Sequence, residues 1–358
     1  MNDEVIVICP ELASGSGGLA DYTRRLVEQW NGKFQLRFIL PSGGNAHALS
    51  SPNFKVDVVE RNSAALLEKL PSHGGKVLLQ YSAYGFDHFG YPRWLLRALA
   101  NWKDTRGSLV VMLHEIWTFW PVLNKNYPIQ RLHRRDLRTL LARADAVFTS
   151  TASQAEHLGK LEPAANVEVL PVGSNIRPRS GLPAKRETGL AVLFGLQGAR
   201  LRTLHTMGSD LQALASASLL TKLATVGGSN TPDGDREELE LLGRLKLSRG
   251  VEQAGALAEN EISDWLGHAS FGISAQDELS LTKSSTCMAY AAHGLNILSP
   301  VADASKPEPL CRLVSPAELL RGMSADELAN RAEDLRAWQE RVSSWSAIAD
   351  RFAAALIS

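Results

Sequence analysis

The sequence predicts an α/β protein made of two doubly wound halves. Short apolar runs of strand length alternate with helix-length amphipathic segments from residue 5 to residue 171, and the same alternation restarts at residue 190. A charged stretch with Pro178, Gly181 and Pro183 separates the two series and reads as a linker. At 358 residues the chain is long enough for two domains with full cores.

In the first half, Val5–Cys9 is apolar at every position, as a strand covered on both faces should be. Gly15, Gly17 and Gly18 follow, ahead of a helix from about Ala20 to Trp30 with Leu26 and Val27 on its apolar side. Phe34–Leu40, Phe54–Val59 and Val77–Gln80 read as the next strands. Pro92–Trp102 is helical, with its proline in the first turn, where the missing N–H has no intrahelical use. Leu109–Leu113 is a further buried strand that ends at His114 and Glu115. Ile129–Ala142 is a basic helix, and Ala146–Thr149 and Val167–Pro171 close this half.

In the second half, Leu190–Phe194 is a strand before Gly195, and Leu219–Val226 is a helix end and strand before Gly227 and Gly228. Val251–Gly255 is a short strand, Glu259–Ala269 a helix and Phe271–Ser274 a strand. An acid- and hydroxyl-rich stretch from Asp277 to Ser285 leads into a small-residue helix, then Gly294 and the apolar run Leu295–Ser299. Ala325–Trp338 is a charged helix. The chain ends in an amphipathic helix, Trp345–Ile357, with Trp345, Ile348, Phe352 and Leu356 near helical spacing. The expected domains are 1–173 and 188–340, joined by a linker at 174–187 and followed by a terminal helical segment at 341–358.

Bulk properties narrow the function. Lys plus Arg and Asp plus Glu number 38 each, which gives no footing for broad nucleic-acid binding. The three cysteines, Cys9, Cys287 and Cys311, are scattered without metal-type spacing, which suits a reducing, cytoplasmic setting. The acidic start of the chain is unlike a secretory signal. No apolar run reaches the roughly 18 residues that span a bilayer.

The chemistry concentrates at Asp277–Gly294. A helix start offers free N–H groups and partial positive charge, which suits a diphosphate. Lys283 sits just ahead of that start, where the dipole disfavours a cation unless an anion is bound. Ser284 and Ser285 are either phosphate contacts or N-caps. Glu278, with Asp277 as the alternative, suits sugar or ribose hydroxyls; simple loop polarity is the other reading. Gly17 and Gly18 either bring backbone N–H groups close to a ligand or make an ordinary tight turn. Tyr81, Tyr84, Phe86, His88, Phe89, Tyr91, Trp94, Trp117, Phe119 and Trp120 are read mainly as packing, with stacking on a sugar the alternative. The basic run Arg131, His133, Arg134, Arg135 and Arg138 is read as a solvated face; it would also suit an anionic membrane surface or a phosphate-bearing acceptor.

Taken in order, these segments resemble the GT-B glycosyltransferases, specifically the retaining family-4-like group. Residues 15–26, 169–176, 255–266 and 277–294 carry the resemblance, so it spans nearly the whole chain. It implies two Rossmann-like domains facing a central cleft, an N-terminal acceptor domain and a C-terminal donor domain, with the last helix crossing back to the N-terminal domain. It implies transfer of a hexose, with retention, from a UDP-, GDP- or ADP-linked sugar to a saccharide or lipid-linked acceptor. The group places basic phosphate clamps near Arg200 and Arg202, expected here in the first loop of the second half, and a histidine facing the reacting sugar near His114. A catalytic role for His114 stands beside a purely structural one. No cofactor is expected, and without an Asp-x-Asp motif no divalent metal either.

One departure stands out. The group usually shows two spaced glutamates, the second opening a helix. Here Asp277 and Glu278 are followed by Lys283, Ser284 and Ser285, with no glutamate in the helix, a pattern similar to a bacterial subgroup with a modified donor-site motif. The alternative to an enzyme is a GT-B-like binding or partner subunit without turnover. A nicotinamide dehydrogenase fits poorly, because the glycines at 15–18 lack the full dinucleotide spacing.

Overall fold

The computed structural model describes residues 3–13, 18–44, 54–102, 107–117, 120–180 and 186–357. The chain forms two compact units: Met1–Pro171 together with Trp345–Ser358, and Val172–Ser344.

The first unit runs β1 (Glu4–Ile8), α1 (Gly18–Glu28), β2 (Gln35–Pro41), β3 (Phe54–Val59), α2 (Ser63–Leu67), β4 (Lys76–Tyr81) and α3 (Ala83–Phe86). It continues through α4 (Arg93–Trp102), β5 (Ser108–Leu113), α5 (Tyr127–Leu141), β6 (Ala146–Thr149), α6 (Ala152–Leu161) and β7 (Val167–Val169). The strands form one parallel sheet in the order β3-β2-β1-β4-β5-β6-β7. The winding starts at β1, moves out to β3, then reverses to β4 on the other side of β1. Burial on both faces explains the unbroken apolar runs of β1 and β5.

The second unit runs β8 (Glu187–Phe194), α7 (Gln197–Ser216), β9 (Lys222–Val226), α8 (Pro232–Gly243), β10 (Val251–Gly255), α9 (Glu259–His268) and β11 (Ala269–Ile273). It ends with α10 (Ser285–Ala292), β12 (Asn296–Leu298), α11 (Pro316–Leu320) and α12 (Ala325–Ser343). Its sheet, also parallel, has the order β10-β9-β8-β11-β12, so the winding reverses between β8 and β11.

The last helix, α13 (Trp345–Ile357), belongs to the first unit. Phe352 meets Phe148 of β6 with ring centroids 4.8 Å apart, and the buried Trp30 indole N–H donates to the Ala349 carbonyl at 3.1 Å.

The chain leaves the first unit at Pro171, and the described residues of the expected linker pack with the second. The Val172 N–H donates to the Thr282 carbonyl at 3.0 Å. Arg179 pairs with Asp264 of α9 at 2.7 Å, and its own N–H donates to Ser263 Oγ at 3.1 Å. Arg186 reaches the carbonyls of Leu266, Ala269 and His293, and so closes the ends of α9 and α10.

The sequence pattern does not mark α2, α3, α6, α7, α8 or α11. In α7 the cause is visible: Gly198 and Gly208 weaken its propensity, and its buried side includes Gln197, Arg200 and Thr203, which breaks the apolar stripe.

Candidate functional site

In open α/β sheets, ligands bind where the winding reverses, beyond the carboxyl ends of the strands. In the second unit that point lies at the ends of β8 and β11. A small cavity there, of about 30 Å³, is lined by Phe194 from β8, Arg202 and Thr203 from α7, Ser274 and Gln276 after β11, and Ser284 and Thr286 at the start of α10. Two glycines keep the adjoining turns thin. Gly227 has φ +134°, and a Cβ on it would stand 2.1 Å from the Gly195 carbonyl oxygen, so these turns touch backbone to backbone. Tyr290 of α10 is fully buried; its hydroxyl accepts the Phe194 N–H at 2.8 Å and donates to the Val192 carbonyl at 3.2 Å. It thereby ties α10 to the strand end where β8 parts from β11.

Arg200 and Arg202 are not in a loop, as expected, but in the first turns of α7, and their fates differ. Arg200 is buried, with Nε 2.7 Å from Glu238 Oε1 and Nη2 2.8 Å from Oε2; Nη1 donates to the Gly195 carbonyl at 2.7 Å. It is a brace between α7, α8 and the turn after β8, and its donors are already occupied. Arg202 is exposed, lines the cavity and has no acidic partner among the described residues. Gln197 completes the brace: its amide nitrogen donates to Asp235 at 2.8 Å and its oxygen accepts the N–H groups of Asn230 and Thr231 at 3.1 and 3.0 Å.

Ser284 is the N-cap of α10; its Oγ accepts the Cys287 N–H at 3.2 Å and the residue also lines the cavity. The first amides of α10 have no intrahelical acceptor and present the positive end of the helix there. Lys283 is exposed, ends a 3-10 turn directly before Ser284, and has no acidic partner among the described residues. Ser285 opens α10, half-buried and outside the cavity lining. Asp277 is taken up locally, accepting the Ser280 N–H at 2.8 Å. Glu278 is exposed and pairs with Lys306 at 3.2 Å. Neither acid lines the cavity.

In the first unit, His114 follows β5 and is buried. Its Nε2 lies 2.7 Å from Gln80 Oε1, and the Tyr22 ring meets it edge-on with centroids 4.7 Å apart. The Tyr22 hydroxyl and the Gln80 amide nitrogen, both buried, find no hydrogen-bond partner among the described residues. Gly17 lies outside the described residues. Gly18 opens α1, and a Cβ on it would meet nothing within 4 Å, so packing does not demand a glycine there. A second cavity, of about 330 Å³, opens beyond β4 and β5 between Tyr84, Glu115, Trp117, Ser153 and His157. Of the aromatic set, Tyr81 and Phe86 are core residues, Tyr84 and Trp117 line this cavity, and Phe119 lies outside the described residues.

Thr203, Ser274, Gln276 and Thr286 also line the cavity and carry no motif in the sequence. Ser274 and Gln276 had one usable signal, their place just past an apolar strand; Thr203 had none without α7. Among the described residues no cluster of His, Cys, Asp or Glu could hold a metal ion, and no helix is long and apolar enough to cross a membrane.

No family model and no curated protein matches the chain in sequence. Solved structures match over its full length. HepE (Alr3699) from Anabaena, solved with UDP, shares 13% identity with a TM-score of 0.64, covering 99% of both chains. An α,α-trehalose-phosphate synthase (UDP-forming) from Burkholderia vietnamiensis shares 12% identity with a TM-score of 0.64, covering 100% of this chain and 97% of its own. WaaG, a glycosyltransferase of lipopolysaccharide biosynthesis, shares 15% identity with a TM-score of 0.54, covering 98% of this chain and 99% of its own. At these identities the likeness is one of fold: the chain has the GT-B fold of two Rossmann-like units.

Proposed function

We propose that this protein is a glycosyltransferase that moves a hexose, with retention, from a nucleotide-diphosphate sugar to a saccharide or lipid-linked acceptor. One observation carries the reading: the cavity at the reversal point of the second unit joins the start of α10 to Arg202, a cation without an acidic partner among the described residues. Bond cleavage at the anomeric carbon puts negative charge on the departing diphosphate. Fixed N–H donors, a helix start and a guanidinium are the groups that stabilise it. Lys283, next to the α10 cap, is assigned the same task. The known structures solved with UDP support a uridine donor, although GDP and ADP sugars fit the same chemistry.

In this mechanism the acceptor oxygen bonds to the anomeric carbon while the bond from that carbon to the phosphate oxygen breaks. The hydroxyl proton passes to the departing diphosphate, so no carboxylate pair of the glycosidase kind is needed. Glu278 is assigned to donor-sugar hydroxyls, which requires it to release Lys306. His114 is assigned to the reacting sugar, and the Tyr84–Trp117 cavity to a sugar ring of the acceptor, whose C–H face suits aromatic contact.

Ligand-detected NMR with UDP, GDP and ADP and their sugar conjugates tests the donor assignment. Selective binding that weakens in Arg202→Ala is expected. Equal binding by that variant removes the cavity from the proposal. A second reading, a binding subunit without turnover, draws on the absence of any acid in α10. Donor binding without transfer or donor hydrolysis, across a panel of acceptors, would favour it.

A further inference from the structure

A second cationic site lies on the first unit, where α4 and α5 run side by side. Its centre is Asp136 of α5, whose side chain is only 8% exposed. One carboxylate oxygen accepts the Tyr91 hydroxyl at 2.6 Å and Arg97 Nε at 3.2 Å, with Arg93 Nε at 3.9 Å. The other accepts Arg135 Nε and Nη2 at 3.3 and 3.2 Å. The guanidiniums are not buried with it: Arg93 is 56%, Arg97 43% and Arg135 61% exposed. None of these arginines pairs with another carboxylate among the described residues. Three cations thus share one anion, a local excess that faces solvent.

The arrangement differs from an ordinary surface ion pair. A carboxylate that neutralised one arginine would leave no net charge; here it holds Arg97 and Arg135 by hydrogen bonds and has Arg93 within 3.9 Å. Burial alone would raise the Asp136 carboxyl, but the Tyr91 hydroxyl and the Arg97 and Arg135 guanidiniums outweigh it and hold the group below its ordinary range. Asp136 uses Nε of Arg97, so both terminal nitrogens of that guanidinium remain without an acceptor among the described residues. Planar guanidiniums with free terminal N–H groups match the oxygens of a phosphate.

We propose that Arg93, Arg97 and Arg135 form a phosphate-binding site organised by Asp136. The phosphate comes either from a soluble phosphorylated ligand or from a phospholipid headgroup. Phe89 bears on the second source: it is 77% exposed, on the turn in which Asp87 accepts the N–H groups of both Phe89 and Tyr91.

The test uses the full chain and two probes. Inorganic phosphate is titrated while the arginine Nε–H signals are followed by NMR. Vesicles of phosphatidylglycerol or of phosphatidylcholine are tested by co-sedimentation. Expected is a phosphate-dependent shift of the Arg93, Arg97 and Arg135 signals, with affinity about tenfold weaker in Arg97→Gln. Arg93→Gln should act in the same direction without touching the fold, because Arg93 makes no hydrogen bond to Asp136. Arg138→Gln, whose arginine pairs with Glu162, should bind like wild type. Phosphate shifts without vesicle binding assign a soluble source. Sedimentation with phosphatidylglycerol alone, reduced in Arg93→Gln, assigns the headgroup. Neither probe binding, or binding equal in wild type and both cluster variants, overturns the site.

Discussion

Arg200 and Glu238 are joined by two parallel hydrogen bonds, 2.7 and 2.8 Å long, with both side chains buried. Arg202, two residues along the same helix, is exposed at the cavity. Residues two apart on an α-helix point to nearly opposite sides, so one arginine must serve the fold if the other serves a ligand. Arg200→Ala would strand a buried carboxylate and should cost about 3–5 kcal/mol of stability in urea denaturation. Arg202→Ala should stay within about 0.5 kcal/mol of wild type, as exposed substitutions do.

Ligand binding should show the reverse pattern. Arg202→Ala is expected to weaken nucleotide-diphosphate binding by about tenfold to a hundredfold in calorimetry, the loss of one charge-assisted contact. Lys283→Ala should act in the same direction. The nucleoside without phosphates should bind wild type and both variants alike; a loss there would mean that Arg202 supports the base rather than the phosphates.

His114→Ala separates donor binding from transfer. The affinity for the nucleotide diphosphate should be unchanged, while transfer falls by about a hundredfold if the ring acts at the reacting sugar. The substitution also deprives Gln80 and Tyr22 of their buried neighbour, so folding is checked by thermal melting alongside. Unaltered transfer in a folded variant would leave His114 a packing residue.

Tyr290→Phe probes the tie between α10 and the strand end. Removing the hydroxyl leaves the Phe194 N–H without its acceptor and should cost about 1–3 kcal/mol. Donor affinity should fall as well, because the cavity is built on both elements.

Stability should fall on mild acidification. His293 and His133 are buried and held neutral, their pKa values pushed down to about 4 from an ordinary 6.5, chiefly by burial. His293 lies 2.9 Å from Ser263 Oγ and His133 2.6 Å from the Tyr81 hydroxyl. Between pH 6.5 and 4 the unfolded chain binds protons that the folded chain refuses. Their contribution is therefore complete above that window and is lost as pH falls through it. Urea midpoints measured from pH 7 to pH 4 should decline, and His293→Gln should flatten part of the slope.

Much of the fold was legible because strands buried on both faces must be apolar throughout. β1, β4 and β5 announce themselves for that reason. The start of α10 was legible too, since a hydroxyl before a small-residue run is what an N-cap requires. The helix α7 was hidden because its buried positions hold Gln197 and Arg200, which pack through hydrogen bonds rather than apolar surface. Asp277 and Glu278 looked like a matched pair, yet one closes a turn and the other pairs with a lysine 28 residues on.

By itself the sequence determined the alternation of strands and helices, the division into two wound halves and the helix start that suits an anion. Those depend on local pattern and on which residues tolerate burial. Only the tertiary structure decided which arginine faces the cavity, that the segment after Val172 packs with the second unit, and that Asp136 gathers three arginines at once. The physical reason is that a charged side chain's role depends on its nearest opposite charge. Glu238 lies 38 residues from Arg200, and Asp136 lies 39 from Arg97. Such distances close only when the sheets are formed.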